Sequence, residues 1–330
     1  MENRLISIIL LSYFSQDKIV PRFRQVAEVM ERENIPFEFI IIDDGSKDNS
    51  YAVALELEES DPRVSAYQLS RNYSSHYAKF AGFSVCKGAC ATSMPDDGQQ
   101  PMETYIAMYR QWEKGNKLVV PYRVSRKDGF IKDALSKMYY RIMNRLSVVN
   151  YPPGGCDVFL ADREIIDIFN ERIHPINTST TAEALRMGFD PVFIPFDRPP
   201  VKSRSRWTLM KKIKLAADSF FTFSNFPIHL ITYLGLVTAF FSFILILFTL
   251  IYKLSGEKYL LGFSIPGWTT TVIFISFFSG LILFSLGIIA EYIWRIYEEV
   301  KDRPGYIIKK KTGGRRQKTE DRSQKTEVRS

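Results

Sequence analysis

The sequence predicts an α/β protein, a doubly wound nucleotide-binding domain followed by two C-terminal transmembrane helices. Three observations carry that expectation. Short runs of β-branched and large apolar residues alternate with amphipathic stretches over the first third of the chain. Two long apolar runs free of acidic and Lys/Arg side chains lie in its last third. Two adjacent carboxylates, Asp96 and Asp97, directly follow one of the short apolar runs, at the strand end where parallel sheets place ligands.

Ile6 to Leu11 is a run of mostly β-branched or large apolar residues, interrupted only by Ser7, as expected of a strand covered on both faces. Ile19 to Glu33 spaces Ile19, Phe23, Val26 and Met30 by four, three and four, which is one face of a helix. Phe37 to Ile42 is a second buried strand running into Asp43-Asp44-Gly45-Ser46, so the three pieces make a βαβ unit. Asp48 is placed to cap a helix through Ala52, Leu55 and Leu57, and Val64 to Leu69 reads as the next strand. A helix over Ala78 to Cys86, a strand over Ala89 to Met94, a helix over Pro101 to Lys114 and a strand over Lys117 to Tyr122 continue the alternation. Asp133 to Leu146 is a basic amphipathic helix that either packs on the core or lies at a membrane interface. Trp207 to Phe223 repeats this signal just before the first long apolar run.

That run, Ile228 to Tyr252, contains one His and no acidic or Lys/Arg residue. As a helix it would span ~37 Å, against a hydrocarbon core of ~30 Å. Trp268 to Ala290 is a second such run, with an aromatic start and a charged exit at Glu291 and Arg295. The formal charge is +8, and Lys309 to Ser330, with nine Lys/Arg and three Asp/Glu, supplies +6 of it. The rest is nearly balanced and shows no basic stripe with stacking aromatics, so no nucleic acid partner is expected. Basic residues on both flanks of the apolar runs place those flanks in the cytoplasm, with Lys253 to Gly267 alone outside. Leu5 to Leu11 is too short and poorly flanked for a signal peptide. Cys86, Cys90 and Cys156 form neither a disulfide framework nor a zinc spacing, and His76, His174 and His229 have no metal spacing.

The stretch Met94-Pro95-Asp96-Asp97-Gly98-Gln99-Gln100-Pro101 reads in two ways. Pro, Asp and Gly are ordinary turn residues. At a strand end, hard carboxylate oxygens also suit Mg²⁺ or Mn²⁺ carrying a diphosphate. Further motifs weigh on that choice: Asp43-Asp44-Gly45-Ser46-Lys47-Asp48, Leu69-Ser70-Arg71-Asn72, Ala81-Gly82, Gln99 with Pro101 and Glu103, Gly155-Cys156-Asp157-Val158-Phe159, and Glu291-Tyr292 with Arg295 to Lys301 and Arg303-Pro304.

In this order and spacing the motifs resemble the family-2 glycosyltransferases that act on polyprenyl phosphates, the group that includes dolichyl-phosphate mannose synthase and bacterial undecaprenyl-phosphate glycosyltransferases. The resemblance covers about residues 5–308. It implies a GT-A fold and inverting transfer of a sugar from a nucleotide-sugar donor to a polyprenyl phosphate acceptor, with membrane lipid as a further partner, at the cytoplasmic face of the bacterial inner membrane. It further implies that Tyr13 and Asp44 lie beside the base or ribose, that Asp97 holds the metal, and that Asp157 lies beside the acceptor. Departures cluster at the same place. Pro95 stands at the first position of the family's Asp-x-Asp, with Asp96 in the middle. Phe14-Ser15-Gln16 replaces Asn-Glu-Glu, and Ser74 and Ser75 replace a Gly-Lys pair.

A lipid phosphate is already anionic near neutral pH, so the reaction needs no strong general base. It needs neutralisation of the departing diphosphate and alignment of both reactants. Asp97, with Asp96 as a second ligand, would hold Mg²⁺ or Mn²⁺ for the first task. Arg198, Lys202, Arg204 and Arg206 either bind phosphates or form a solvated basic flank. Arg71 and Asn72 either anchor the nucleotide or bond at a strand end, and Gln99 joins the donor site. Asp157 contacts metal, acceptor or sugar, or caps a helix. Glu183 resembles the catalytic acid of hydroxyl-directed relatives, a group that a phosphate acceptor makes unnecessary. The expected organisation is a catalytic domain over 1–200, a basic amphipathic segment over 201–227, two membrane helices over 228–293 and a basic tail over 294–330, disordered at its end. A homo-oligomer is compatible with so small an anchor. Two other readings remain: a polysaccharide synthase, disfavoured by Ser203 in place of the Gln of Gln-x-x-Arg-Trp and by only two spans, and a catalytically weakened membrane scaffold.

Overall fold

The computed structural model describes residues 4–123, 156–176, 178–197, 230–238, 267–301 and 303–309, with isolated positions within 138–152 and 240–244. Contacts divide the chain into two units. The first comprises Met1–Arg141, Asn150–Arg206 and Pro304–Ser330, and the second Ile142–Val149 and Trp207–Arg303.

In the first unit, apolar strands are covered on both faces by helices. The strands are β1 (Ile6–Ser12), β2 (Phe37–Asp43), β3 (Val64–Gln68), β4 (Cys90–Pro95), β5 (Leu118–Arg123), β6 (Leu160–Asp162) and β7 (Val192–Phe196). They form one seven-stranded sheet in the order β3, β2, β1, β4, β6, β5, β7. The helices are α1 (Ile19–Arg32), α2 (Ser50–Ser60), α3 (Ser75–Val85), α4 (Met102–Glu113), α5 (Arg163–Arg172) and α6 (Thr180–Arg186).

Period-two alternation within the strands splits the core in two. Ile6, Ile8 and Leu10 of β1 and Phe37, Phe39 and Ile41 of β2 pack with Ile19, Phe23, Val26 and Met30 of α1. Ile9, Leu11, Ile40 and Ile42 face the other way, against Ala78, Phe80, Ala81 and Phe83 of α3 and Ile165, Ile166 and Phe169 of α5. At about 1.5–3 kcal/mol for each fully buried large apolar side chain, these two layers are what hold the sheet rigid beneath the site. The helix face expected from the spacing in α1 is the one buried. In α2 the reading shifts. Asp48 accepts from Ser50 N (3.2 Å) and Ser50 Oγ (2.6 Å), as an initiating residue should. The helix then starts at Ser50, which puts Ser50, Ala54 and Leu57 inside and leaves Ala52 exposed.

The sheet is mixed, which corrects the doubly wound expectation. β1 is parallel to β2 and β4, β2 to β3, and β5 to β7, but β6 is antiparallel to both β4 and β5. A three-residue strand, Leu160-Ala161-Asp162, is too short to carry a periodic signal. Its reversed direction has a consequence for the site. Residues just before β6 arrive at the edge where the parallel strands end.

Described residues of the second unit include helical positions 230–238 and one long helix, α7 (Gly267–Val300, 34 residues). Its Phe277–Val300 portion has mean hydropathy 1.8 and none of it is buried, so it is long and apolar enough to cross a membrane. The second expected span thus falls within α7. The first is described only at 230–238, 240–241 and 244, all helical. The amphipathic helices expected over 133–146 and 207–223 lie outside the described residues apart from 138, 144 and 145.

Candidate active site

Strand register brings the candidate residues into one row. Ser12 pairs with Asp43 and Leu11 with Pro95, so Tyr13, Asp44 and Asp96 are the first residues beyond three neighbouring strands. Asp157 reaches the same edge through the reversed β6.

Asp97, Gln99 and Asp157 line one open cleft at the ends of β4, β5 and β7, together with Gln100, Arg123 and Val158. Asp97 Oδ1 accepts from the Gln99 backbone N–H at 3.2 Å. Among the described residues no cation pairs with Asp97. Arg123, the last residue of β5, donates from Nη2 to Asp157 Oδ2 at 2.6 Å and is itself largely enclosed. Lys79 of α3 donates from Nζ to the Asp157 backbone carbonyl. Withdrawal from water lowers the Lys79 pKa, and the nearby Asp157 charge partly offsets this. Gln100 Nε2 is buried in the cleft wall without a partner among the described residues, leaving a donor for a ligand oxygen.

Asp96 turns elsewhere. Its Oδ2 accepts from Ser15 Oγ and from Lys18 Nζ, the latter at 3.3 Å. The expectation that Asp96 joins Asp97 as a metal ligand therefore meets a carboxylate with one oxygen, Oδ2, already engaged. Ser15, one of the departures in the loop after β1, is the residue that holds it.

Asp44 is buried, and its two oxygens accept from the backbone N–H groups of Tyr73 (2.7 Å) and Ser74 (2.9 Å). Burial raises its pKa, and these two bonds oppose the rise. The bonds tie the Ser70–Ser74 loop to the end of β2. Gly45, at φ +68°, lets the turn pass against the Arg71 backbone, 2.5 Å from where a Cβ would stand. Ser74 sits at φ +90°, ψ 162°, a region natural to glycine, at the position where the resemblance leads one to expect glycine. Arg71 and Asn72 are exposed, with the Arg71 guanidinium 4.2 Å from the centre of the Tyr73 ring. Tyr13 stacks edge-on against Phe14 at 4.6 Å. Beside it, Ser12 Oγ and Asp43 Oδ1 are buried without partners among the described residues. The expected nucleotide residues thus form a second group beside the cleft, while Arg198, Lys202, Arg204 and Arg206 lie outside the described residues.

Glu183 is buried and fully engaged, accepting from Thr178 Oγ1 (2.7 Å) and from Arg186 Nε (3.0 Å) and Nη2 (2.7 Å). It braces α6. His76 is also internal: its Nε2 lies 2.9 Å from the Pro175 carbonyl and burial lowers its pKa to about 4.

The sequence model of Glycosyl transferase family 2 matches residues 7–169. An uncharacterized glycosyltransferase of Bacillus subtilis is 30% identical over 309 residues, spanning 93% of this chain and 94% of its own. The chain is a family 2 glycosyltransferase. The bactoprenol glucosyl transferase of Shigella phage SfII is likewise 30% identical over 309 residues, 91% of this chain and 96% of that one. A solved structure, glucosyl-3-phosphoglycerate synthase from Mycobacterium tuberculosis with UDP, matches 66% of this chain and 78% of its own at 16% identity and a TM-score of 0.45.

In this family 2 glycosyltransferase with a GT-A-like mixed sheet, the expected Asp97, Gln99 and Asp157 share a cleft with Gln100 and Arg123, and Lys79 bonds to the Asp157 carbonyl. Arg123, Lys79 and Gln100 were not identified from the sequence. The signal for Arg123 was available, because it is the charged residue closing an apolar strand at the ligand edge. Lys79 had none, since a lysine on a helix is ordinarily solvated.

No three His, Cys, Asp or Glu side chains converge on a metal position among the described residues. A Mg²⁺ or Mn²⁺ ion that carries a diphosphate needs only one or two protein carboxylates, the rest of its shell coming from substrate phosphates and water. Asp97, facing the cleft with no competing cation among the described residues, fits this role.

Proposed function

We propose that the protein transfers a sugar, with inversion, from a nucleotide-sugar donor to a polyprenyl phosphate at the cytoplasmic face of a membrane. The observation that carries the reading is the cleft in which Asp97 and Arg123 face one space at the strand ends. Support also comes from relatives named bactoprenol glucosyl transferases that match nearly the full chain.

The chemistry follows from what each group offers. A divalent cation on Asp97 would neutralise the diphosphate as it leaves. Arg123 offers a planar, permanently charged donor suited to phosphate oxygens. Its contact with Asp157 fixes the guanidinium and leaves further N–H groups for a ligand. Gln100 Nε2 supplies a neutral donor in the same wall. The acceptor phosphate attacks as an anion, so the absence of a free buried base in the described cleft is no obstacle. Glu183, locked by Thr178 and Arg186, is not needed as one. The Asp44-bound loop, bearing Arg71 and Asn72, with Tyr13 alongside, takes the nucleoside. α7 and the basic tail anchor the enzyme where a lipid phosphate resides.

The test is to incubate membranes containing the full chain with undecaprenyl phosphate and a panel of radiolabelled nucleotide sugars, then extract lipid. A sugar-linked lipid from one donor, lost on chelation and in Asp97→Asn, is expected. Folded protein that yields no lipid product from any donor overturns the reading.

A further inference from the structure

The chain that follows α7 returns to the sheet. Pro304–Lys309 runs antiparallel to the end of β3, with Leu69 and Ile308 bridged. Ser70 N donates to Ile307 O and Lys309 N to Gln68 O, each at 2.8 Å. β3 is the outermost strand of the sheet; its outward Val64 and Ala66 amides donate to Asp61 O and Glu58 Oε1, and the strap takes the edge beyond them. The strap covers only the last part of that edge, next to the site. Tyr306 donates from its hydroxyl to Phe80 O at 3.4 Å, and its ring and Ile308 pack against the second core layer. At Gly305 a Cβ would come within 2.5 Å of Pro175 Cγ and 2.9 Å of Tyr77 Cε1, so the backbone lies flush on that surface.

These contacts meet the donor-side loop at its root. Ser70, which bonds to Ile307, is the first residue of the loop whose other end is held by Asp44. Gln68 links the two supports: its Oε1 accepts from Lys309 Nζ at 3.0 Å and its Nε2 donates to Asp43 Oδ2 at 2.8 Å. Arg71 and Asn72 stand between the supports, exposed and with no strand of their own. Without the strap, the loop would pivot about Leu69 and its Arg71 would lose a fixed origin.

We infer that Pro304–Lys309 is a positioning element for the Ser70–Ser74 loop, so that capture of the nucleotide sugar depends on the segment that follows the apolar helix. The donor part of this inference rests on the function proposed above. The strap makes no contact with the reacting groups. It acts through the loop, which predicts an effect on donor KM rather than on turnover.

The experiment uses full-length protein in lipid nanodiscs. Lys309→Pro removes the N–H that bonds to Gln68 O and restricts Ile308. Lys309→Arg keeps that backbone bond and a side-chain donor for Gln68 Oε1, and serves as its control. Gly305→Val forces the strap off Pro175. Hydrogen exchange at the Ser70, Tyr73 and Ser74 amides should accelerate about tenfold or more in Lys309→Pro and Gly305→Val, with β1 amides unchanged. Donor KM should rise about five- to tenfold, with kcat and acceptor KM within about twofold, and Lys309→Arg should stay within about twofold throughout. Unchanged loop exchange in Lys309→Pro overturns the strap's role whatever the activity. A fall in kcat at unchanged donor KM also overturns it. If the loop loosens as expected but the parent protein neither binds nor uses any nucleotide sugar, the functional reading fails and the donor part of the inference fails with it.

Discussion

Replacing Asp44 by Asn tests whether one buried carboxylate organises the donor side. In the parent protein both oxygens accept backbone N–H groups, from Tyr73 at 2.7 Å and Ser74 at 2.9 Å, in a site only 4% exposed. Asn has the same shape but one acceptor oxygen, so one N–H would face an amide NH₂. Losing a hydrogen bond to a charged group costs about 1.5–3 kcal/mol. If all of it falls on the ordered loop, the competent fraction drops by about one to two orders of magnitude, and apparent donor affinity drops in proportion. The assay is nucleotide-sugar titration of purified full-length protein, with loop amide exchange measured in parallel. Ser74→Gly supplies a cross-check. At φ +90° a serine carries about 1–3 kcal/mol of strain that glycine does not, so the second change should recover part of the loss. Donor affinity and loop exchange both unchanged in Asp44→Asn would refute the reasoning.

The two carboxylates after β4 should separate in the same assays. Asp97→Asn should lower kcat about a hundredfold or more and abolish the response to added Mn²⁺, whereas Asp96→Asn, which disturbs only Ser15 and Lys18, should lower activity several-fold and retain it. Arg123→Lys keeps the charge but loses the fork that bonds Asp157, and should cost about tenfold in kcat/KM for the lipid acceptor, read from acceptor titration at saturating donor. His76, with its folded pKa lowered from 6.5 to about 4, makes stability depend on acidity. The unfolded chain takes up the proton first, so stability is full above about pH 6.5 and falls as pH drops toward 4. That amounts to roughly 2 kcal/mol between pH 7.5 and 5 from this residue. Thermal unfolding midpoints of His76→Phe should show a correspondingly smaller difference between those two pH values, and an unchanged difference would assign the acid sensitivity elsewhere.

What was readable in the sequence follows from where the information is local. The β1–α1–β2 unit rests on a six-residue run with five apolar residues and on a four-residue helical face, and both patterns survive in the core. Asp97, Gln99 and Asp157 share a cleft because motif order preserves strand order. The reversed β6 was not readable, since three residues hold no period and its pairing with Cys90–Thr92 depends on a distant part of the chain. Nor was the diversion of Asp96. Two adjacent carboxylates look equivalent in a sequence, and only the meeting of Ser15 and Lys18 with one of them, across a separation of about eighty residues, breaks the equivalence. The strap at Pro304–Lys309 is the same kind of case: it pairs with Leu69 across the whole catalytic domain and the apolar helix.

Four carboxylates crowd the ends of β2 and β4, and their bonding decides how charge is distributed at the site. Asp43 accepts from Ser46 N and Gln68 Nε2 through Oδ2, Asp44 from Tyr73 and Ser74, and Asp96 from Ser15 and Lys18. Each of these carboxylates is committed to holding a loop. Only Asp97 faces the cleft with a single backbone bond, to Gln99 N. An anionic diphosphate approaching this edge would meet repulsion from four bare charges, but three of them already accept from protein donors, Asp43 and Asp96 through Oδ2 alone, and Asp97 is open to a cation. Pro95, at the place where the resemblance leads one to expect a further acid, removes one more negative charge from the row. The departure therefore lowers the repulsion that a metal would have to offset, and it concentrates the demand for that metal on Asp97.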